Sequence, residues 1–207
     1  MEPQVNSKIL KKLNKTVSSF DEKFEGSIFY LDGDKKRDTL YPMFKQKRID
    51  FAEYATENLL MVEVGVNAGH SALLALSSNN SLTYIGIDIL HHQYTLPCVK
   101  VLQKHFPNRI HFQAGDSRDV LPNIYDMYPG IKNQPITWVI DGGHDPEVAN
   151  IDIQNVINLA GNKDILIFDD IEQEPLHALI EKYISKKKLN TIKKTNFHWI
   201  LEIDKDK

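Results

Sequence analysis

Acidic residues close a series of apolar runs in this sequence, and they are the side chains best suited to chemistry. Each stands at or directly after a run of strand length: Glu63, Asp88, Asp116, Asp141, Asp169 and Asp170. Carboxylates that meet at one edge of a sheet repel one another, so a purely structural core does not favour them. The pattern therefore indicates a ligand that is cationic or rich in hydroxyl groups.

The turn after the first acid carries two glycines, in the stretch EVGVNAG at residues 63–69. This is not the G-x-G-x-x-G spacing of dinucleotide sites, because the third glycine is absent. Gly65 permits a tight turn, and Gly69 lets the backbone pass close to a ligand at the start of a helix. Asp88 ends the next apolar run, where an acid can accept two ribose hydroxyls. A cofactor with an adenosine, an amino group and a sulfonium fits this loop better than a nicotinamide dinucleotide.

The elements that must position these acids are strands and helices in alternation. From Leu59 onward, apolar runs such as LLMVEV, LTYIGIDI, ITWVID and DILIFDD alternate with stretches of helical periodicity. Strands this continuously apolar are typical of a parallel sheet covered on both faces. Residues 189–195 and 197–203 are strand-like runs around a short polar turn and predict an antiparallel hairpin. We therefore expect a doubly wound α/β fold that binds its ligand at the carboxyl ends of the strands.

The first 58 residues follow a different pattern. Ile9, Leu10, Leu13 and Val17 recur at helical spacing, residues 25–42 interrupt the periodicity with glycines and a proline, and residues 43–58 return to it. We predict an N-terminal helical segment, residues 1–58, that covers the site as a partial lid. Residues 59–207 form the ligand-binding domain, and the two parts make one compact domain.

Composition limits the possible partners. A chain of 207 residues with 42% hydrophobic and 26% charged residues predicts one globular domain. The net charge of −3 gives no electrostatic case for nucleic acid. The sequence lacks an apolar stretch of membrane-spanning length and a signal-like start, so we expect no membrane partner and a cytoplasmic location, in the host if the protein is viral. The single Cys98 excludes an intramolecular disulfide and a multi-cysteine metal site. The sequence leaves open whether two copies of the chain form a homodimer.

Three motifs resemble those of the class I S-adenosylmethionine (SAM)-dependent methyltransferases. E-x-G-x-x-x-G-x-S at 63–71 is similar to their first motif, YIGIDI to their second, and AGDS at 114–117 to the stretch that contacts adenine. The closest subgroup is the small-molecule and sugar O-methyltransferases, whose IDGGH…D…DD signature the chain also shows. The resemblance implies a Rossmann-like, mostly parallel, seven-stranded sheet with an antiparallel last strand. It also implies SAM contacts at Glu63, Gly65, Asn67, Gly69, Ser71, Asp88, Asp116, Ser117 and Asp141.

The same resemblance implies a metal and a base. Relatives hold one Mg²⁺ or another divalent cation with groups that correspond to Asp141, Asp169 and Asp170, and they carry a general base at the position of His144. Hard oxygen ligands suit Mg²⁺, and an imidazole can take a hydroxyl proton near neutral pH. One departure is that AGNKDILIFDD lacks the usual paired glycine before the fifth strand. The expected partner is a small hydroxylated acceptor, such as a sugar or glycan.

Structural interpretations compete with each of these roles. Gly142 and Gly143 can shape a turn that His144 caps, and Asp169 and Asp170 can cap the following helix. A methyltransferase-like module that binds SAM without catalysis is a second hypothesis. An oxidoreductase that uses NAD is a third, disfavoured by the missing third glycine. A nucleic-acid methyltransferase lacks both the charge and a motif for a flipped base.

Overall fold

The computed structural model of the chain describes residues 2–34, 37, 39–143, 145–162 and 164–205. Within these ranges, the strands are β1 (Leu60–Val64), β2 (Thr83–Asp88), β3 (Ile110–Ala114), β4 (Ile136–Ile140), β5 (Ile165–Phe168), β6 (Leu189–Lys194) and β7 (Trp199–Ile203). The α-helices are α1 (Ser7–Val17), α2 (Lys45–Glu57), α3 (His70–Ser78), α4 (Thr95–His105), α5 (Ser117–Val120), α6 (Ile124–Met127), α7 (Pro146–Leu159) and α8 (Glu174–Ser185). Strand and helix alternate from β1 to β5, as the sequence predicts.

The seven strands form one sheet in the order β3-β2-β1-β4-β5-β7-β6. The first five are parallel, and β7 is antiparallel to both of its neighbours, β5 and β6. The predicted Rossmann-like sheet with an antiparallel C-terminal hairpin is confirmed. The strand order reverses direction between β1 and β4. Open α/β sheets bind their ligands at such a switch point.

The central strands are buried on both faces, so they read as apolar runs instead of alternating ones. All five residues of β1 and of β4 are buried. Met61 and Val139 pack against α1 to α4, while Val62 and Ile140 pack against the other face with α7 and α8. This two-layer cover holds the carboxyl ends of β1, β2 and β4 at one level. Val64 pairs with both Ile87 and Ile140 there.

The N-terminal segment is part of the core. Four α1 positions at helical spacing are buried, and Phe24, Phe29 and Tyr30 are buried with them, although the described residues between 18 and 41 form no helix or strand. The buried Arg48 of α2 fixes this stretch by donating to the carbonyl oxygens of Ile28 and Tyr41, at 3.0 and 3.1 Å. The segment predicted as a lid is therefore anchored by apolar contacts and by backbone carbonyls.

A buried carboxylate joins α2 to the C-terminal hairpin. Asp50 is fully buried and accepts hydrogen bonds from Gln46 at 2.6 Å and Lys193 at 2.5 Å. Its second oxygen lies 3.2 Å from His198 Nε2. A buried charge is stable only with such partners, so the hairpin positions α2 as well as closing the sheet.

No helix among the described residues is long and apolar enough to cross a membrane. The two tryptophans lie in strands and are buried. Trp138 Nε1 donates to Asp164 at 3.0 Å, and Trp199 Nε1 donates to Thr191 at 3.1 Å.

Candidate functional site

The loop between β1 and α3 depends on residues with positive φ. Gly65, Asn67 and Gly69 have φ values of 92°, 49° and 71°. A Cβ at Gly65 would lie 2.3 Å from the carbonyl oxygen of Asp141, so glycine permits the two strand-end loops to touch. At Gly69 the nearest atom to such a Cβ is Cδ1 of Leu102, at 2.6 Å. A Cβ at Gly69 would thus meet the core. This residue lines neither of the cavities described below, and its predicted cofactor contact stays a prediction.

Asp88 organises this loop from the end of β2. Its Oδ2 accepts the backbone N–H groups of Val66 and Asn67, both at 2.9 Å, and its Oδ1 accepts that of Leu90 at 2.7 Å. Charge-assisted hydrogen bonds of this kind are stronger than neutral ones. The acid predicted to bind ribose therefore also fixes the backbone of the loop.

Glu63 lies beneath the loop. It is fully buried, and its Oε2 accepts hydrogen bonds from Ser71 Oγ at 2.9 Å and from the Tyr84 hydroxyl. Burial raises the pKa of Glu63 to about 8, although both hydrogen bonds oppose the shift. Glu63 lines neither cavity, so its predicted cofactor contact stays a prediction.

Two cavities open at the switch point of the sheet. The first, here the β2 cavity, has a volume of about 450 Å³ and lies against Asp88 and residues 115–118. The second, the α2 cavity, has a volume of about 410 Å³ and lies between Lys47 and Phe51 of α2, the β1 loop and residues 25–28. Gly65, Asn67, Asp141 and Glu25 line both, so the cavities adjoin at the ends of β1 and β4.

The sequence-predicted residues Asp116 and Ser117 lie in the wall of the β2 cavity, and each is held by a neighbouring side chain. Asp116 is the N-cap of α5 and accepts from Arg118 Nε at 2.9 Å. The hydrogen bonds from Arg118 lower the pKa of Asp116 to about 2. Ser117 donates to Oδ2 of the buried Asp152 at 3.0 Å. Both residues line the cavity, and their adenine contact stays a prediction.

Histidines link this region to the N-terminal segment. His92 lines the β2 cavity, stacks on Tyr94 at 4.7 Å between ring centroids, and lies within 3.2 Å of carboxylate oxygens of Glu22 and Glu25. His70, the first residue of α3, is surrounded by aromatic rings of the N-terminal segment. Burial lowers the pKa of His70 to about 3, so its ring is neutral. Sequence reasoning assigned neither residue to the site.

Three carboxylates gather at the ends of β4 and β5. Asp141, Asp169 and Asp170 each offer an oxygen, and these atoms lie within 4.8 Å of one another. Burial, with the neighbouring Asp169 carboxylate, raises the pKa of Asp141 well above its ordinary value. Asp169 is buried, and its Oδ1 has no hydrogen-bond partner among the described residues. The sequence-predicted metal ligands therefore form one cluster, which we call the acid cluster.

Lys47 is the residue of this site that sequence reasoning missed. It lies on α2, is 5% exposed, forms an ion pair with Asp169 Oδ2 and donates to Ser27 Oγ at 2.8 Å. Burial acts to lower the pKa of Lys47, but the carboxylates of the acid cluster outweigh burial and raise it. The sequence holds one indication of its burial: Lys47 lies four residues before Phe51, on the buried side of a predicted helix.

The predicted base, His144, lies outside the described residues. It follows Gly142 and Gly143, which line the β2 cavity. The role of His144 stays a prediction.

A family model described as a methyltransferase domain matches residues 62–171, which is more than half of the chain. The match includes the β1 loop, Asp88 and the acid cluster. No curated protein matches the chain closely enough to identify a relative.

Solved structures share the fold at low sequence identity. An O-methyltransferase from Bacillus cereus, solved in complex with SAH, is 10% identical with a TM-score of 0.66, over 98% of this chain and 92% of that one. TomG from Streptomyces achromogenes, an O-methyltransferase involved in tomaymycin synthesis and solved with SAM, is 12% identical with a TM-score of 0.66, over 96% and 90%. MycE from the mycinamycin biosynthetic pathway, solved with Mg and SAH, is 14% identical with a TM-score of 0.57. The match covers 77% of this chain and 48% of MycE.

Proposed function

The chain belongs to the methyltransferase domain family, and we propose that it transfers the methyl group of SAM to a hydroxyl oxygen of a small molecule such as a sugar. A class I SAM-dependent methyltransferase needs one site for the cofactor and an adjoining site for the acceptor. The observation that carries the proposal is that two cavities adjoin at Gly65, Asn67 and Asp141.

We place the adenosine of SAM in the β2 cavity. Asp88 lines that cavity, and a carboxylate oxygen that already accepts one N–H group keeps capacity for a ribose hydroxyl. Asn67 lines both cavities, and its buried Oδ1 has no partner among the described residues. A buried acceptor of this kind suits a donor on the ligand, such as the amino group of SAM.

We place the acceptor in the α2 cavity. Its described lining includes Glu25, Ser27, Asp32 and Gln173 beside the phenyl ring of Phe51. Polar side chains of this kind hydrogen-bond a hydroxyl-rich molecule better than they hold a flat hydrocarbon ring. The wall formed by residues 25–28 would cover the acceptor and limit access of water to the reacting atoms.

A divalent ion fits the acid cluster. Asp141, Asp169 and Asp170 would hold it, because they present hard oxygen donors close together and Asp169 Oδ1 is buried without a partner among the described residues. When bound, such an ion would lower the pKa of an acceptor hydroxyl. The chain's own contribution is to orient the acceptor beside Asp141 and to accept the hydroxyl proton, which we assign to His144.

Binding and turnover test the proposal separately. Calorimetry with SAM, SAH and NAD should show binding of the first two only. Methyl transfer from labelled SAM to a panel of hydroxylated acceptors, with and without Mg²⁺, should then identify the substrate class. Tight NAD binding with no response to SAM or SAH would contradict the proposal. SAM binding without transfer to any hydroxyl would favour the inactive binding module.

The base is tested by His144→Ala. Turnover should fall by about 10²–10⁴, the usual contribution of a positioned general base, while SAH binding is retained. Activity should recover in part at higher pH, because solution hydroxide can take the proton. Unchanged turnover would remove His144 from the mechanism.

A further inference from the structure

We propose that Lys47 and a divalent ion are alternative counter-cations of the acid cluster, so that the ion must displace the Lys47 ammonium from Asp169. This inference rests on the proposed function only in taking the acid cluster as the ion's site. It assigns Lys47, a residue outside the matched region 62–171, a role in setting metal affinity.

The first argument is the charge of the cluster. Three carboxylates with oxygens within 4.8 Å of one another repel strongly, and Asp169 is only 5% exposed. A nearby cation offsets this repulsion and stabilises the cluster in the fold. The Lys47 side chain is 6% exposed and forms an ion pair with Asp169, so it supplies that charge from within the chain.

The second argument is the geometry of the ammonium. Lys47 Nζ contacts Asp169 Oδ2 and donates to Ser27 Oγ at 2.8 Å, so it is held from two sides. Mg²⁺ demands near-octahedral oxygen ligands at close range. An ammonium on Oδ2 of Asp169 leaves only Oδ1 of that carboxylate for the ion, and its positive charge repels the incoming ion. Both effects lower the affinity of the cluster for the metal.

The third argument is that Lys47 cannot leave without changing the cavity wall. Lys47 and Ser27 both line the α2 cavity. Displacement of Lys47 breaks its hydrogen bond to the N-terminal segment on the side where we place the acceptor. Metal binding and the shape of the acceptor cavity are therefore coupled through this side chain.

The direct test is a Mn²⁺ titration of the full chain by calorimetry, with Lys47→Gln compared with the wild type. Lys45→Gln is the matched control, because Lys45 lies on the same helix, is exposed and loses the same charge. We expect Lys47→Gln to bind Mn²⁺ at least about tenfold more tightly than the wild type, and Lys45→Gln to match the wild type. Equal or weaker binding by Lys47→Gln, including no binding by any of the proteins, would overturn the proposal. SAH binding, measured on the same samples, tests the proposed function independently.

A second measurement uses the wild type and avoids any folding defect of the variant. Acetylation of lysines, followed by mass spectrometry, should label Lys47 slowly without added ion and faster at saturating Mg²⁺. Lys45 should label equally in both conditions. Protection of Lys47 that persists at saturating Mg²⁺ would show that the ion does not displace it.

Discussion

The two cavities are built in different ways. The β2 cavity is shaped by backbone: positive φ at Gly65 and Asn67, and amide groups held by Asp88 across about twenty residues of chain. The α2 cavity is shaped by side-chain contacts between separate segments, such as those of Lys47 with Asp169 and with Ser27. A site shaped by backbone conformation tolerates few residue types at each position, so its sequence forms a recognisable motif. A site shaped by side-chain contacts can be built from many residue combinations, so its sequence forms no motif.

We expect the largest effect on stability and SAH binding from a substitution where the two cavities meet. Gly65→Ala adds a Cβ 2.3 Å from a backbone oxygen at a φ of +92°, so the loop must move. We expect destabilisation of about 3 kcal/mol and a loss of SAH affinity of about 100-fold or more. Thermal unfolding and calorimetry measure the two. Gly130→Ala is the control, because a Cβ there has no neighbour within 4 Å. Normal SAH binding by Gly65→Ala would show that the backbone does not determine the site.

A smaller effect should follow from removing the charge of Asp88. Asp88→Asn keeps the shape of the side chain but replaces one carboxylate oxygen with an amide nitrogen, which cannot accept the backbone N–H groups that this oxygen binds. The loss of charge-assisted hydrogen bonds should cost about 2 kcal/mol of SAH binding, or about thirtyfold in affinity. The exposed Asp119→Asn, with the same change of charge, should bind SAH as the wild type does. Equal affinity of the two variants would mean that Asp88 does not hold the loop.

Glu63 extends the comparison to the layer beneath the loop. Its pKa is raised from 4.5 to about 8 in the folded protein, so the folded state keeps a proton that the unfolded state releases. The contribution of Glu63 to stability is therefore most favourable below about pH 4.5 and is lost as the pH rises towards 8. Glu63→Gln should remove this loss, making the variant about 4 kcal/mol more stable relative to wild type at pH 8 than at pH 4.5. Urea unfolding across this range measures the slope.

The exposed Glu57→Gln provides the control for that slope. It should keep the pH dependence of the wild type. A Glu63→Gln variant with the same pH dependence as Glu57→Gln would show that Glu63 is ionised in the folded state.

The smallest effect should come from a substitution in the α2 cavity, which side chains shape. Ser27→Ala removes the hydrogen bond to Lys47 and leaves the ion pair with Asp169. We expect a loss of stability of about 1 kcal/mol, with SAH affinity changed less than twofold. The exposed Ser81→Ala is the matched control. A large loss of SAH affinity in Ser27→Ala would mean that the two cavities are not independent.

The sequence alone predicts the regions in which local patterning controls structure. The apolar runs predict the parallel sheet, and the acids that follow them predict the convergence of Asp141, Asp169 and Asp170, which the structure confirms. Family membership likewise agrees with the resemblance of residues 63–71. The metal, the acceptor and the role of His144 stay predictions.

Long-range side-chain pairs could not be predicted in this way. Lys47 and Asp169 are distant in sequence, and neither helical periodicity nor a motif relates them. Glu63 shows a related limit: the motif predicts a ligand contact, which stays a prediction, but it gives no sign of the hydrogen bonds from Ser71 and Tyr84. Motif spacing identifies the loop, whereas only the packed structure shows which way each side chain points.

The bonds between Asp50 and the C-terminal hairpin have a consequence for how the protein is made. A ribosome releases α2 long before Lys193 and His198, which lie 143 and 148 residues later in the chain. Until those residues emerge, the Asp50 carboxylate lacks two of its partners and β5 lacks its neighbour β7. Long-range contacts of this kind form late during folding. The helix that carries Lys47 therefore gains these partners only after the hairpin has emerged, so a nascent chain can form the β1 loop before the surroundings of the acid cluster are complete.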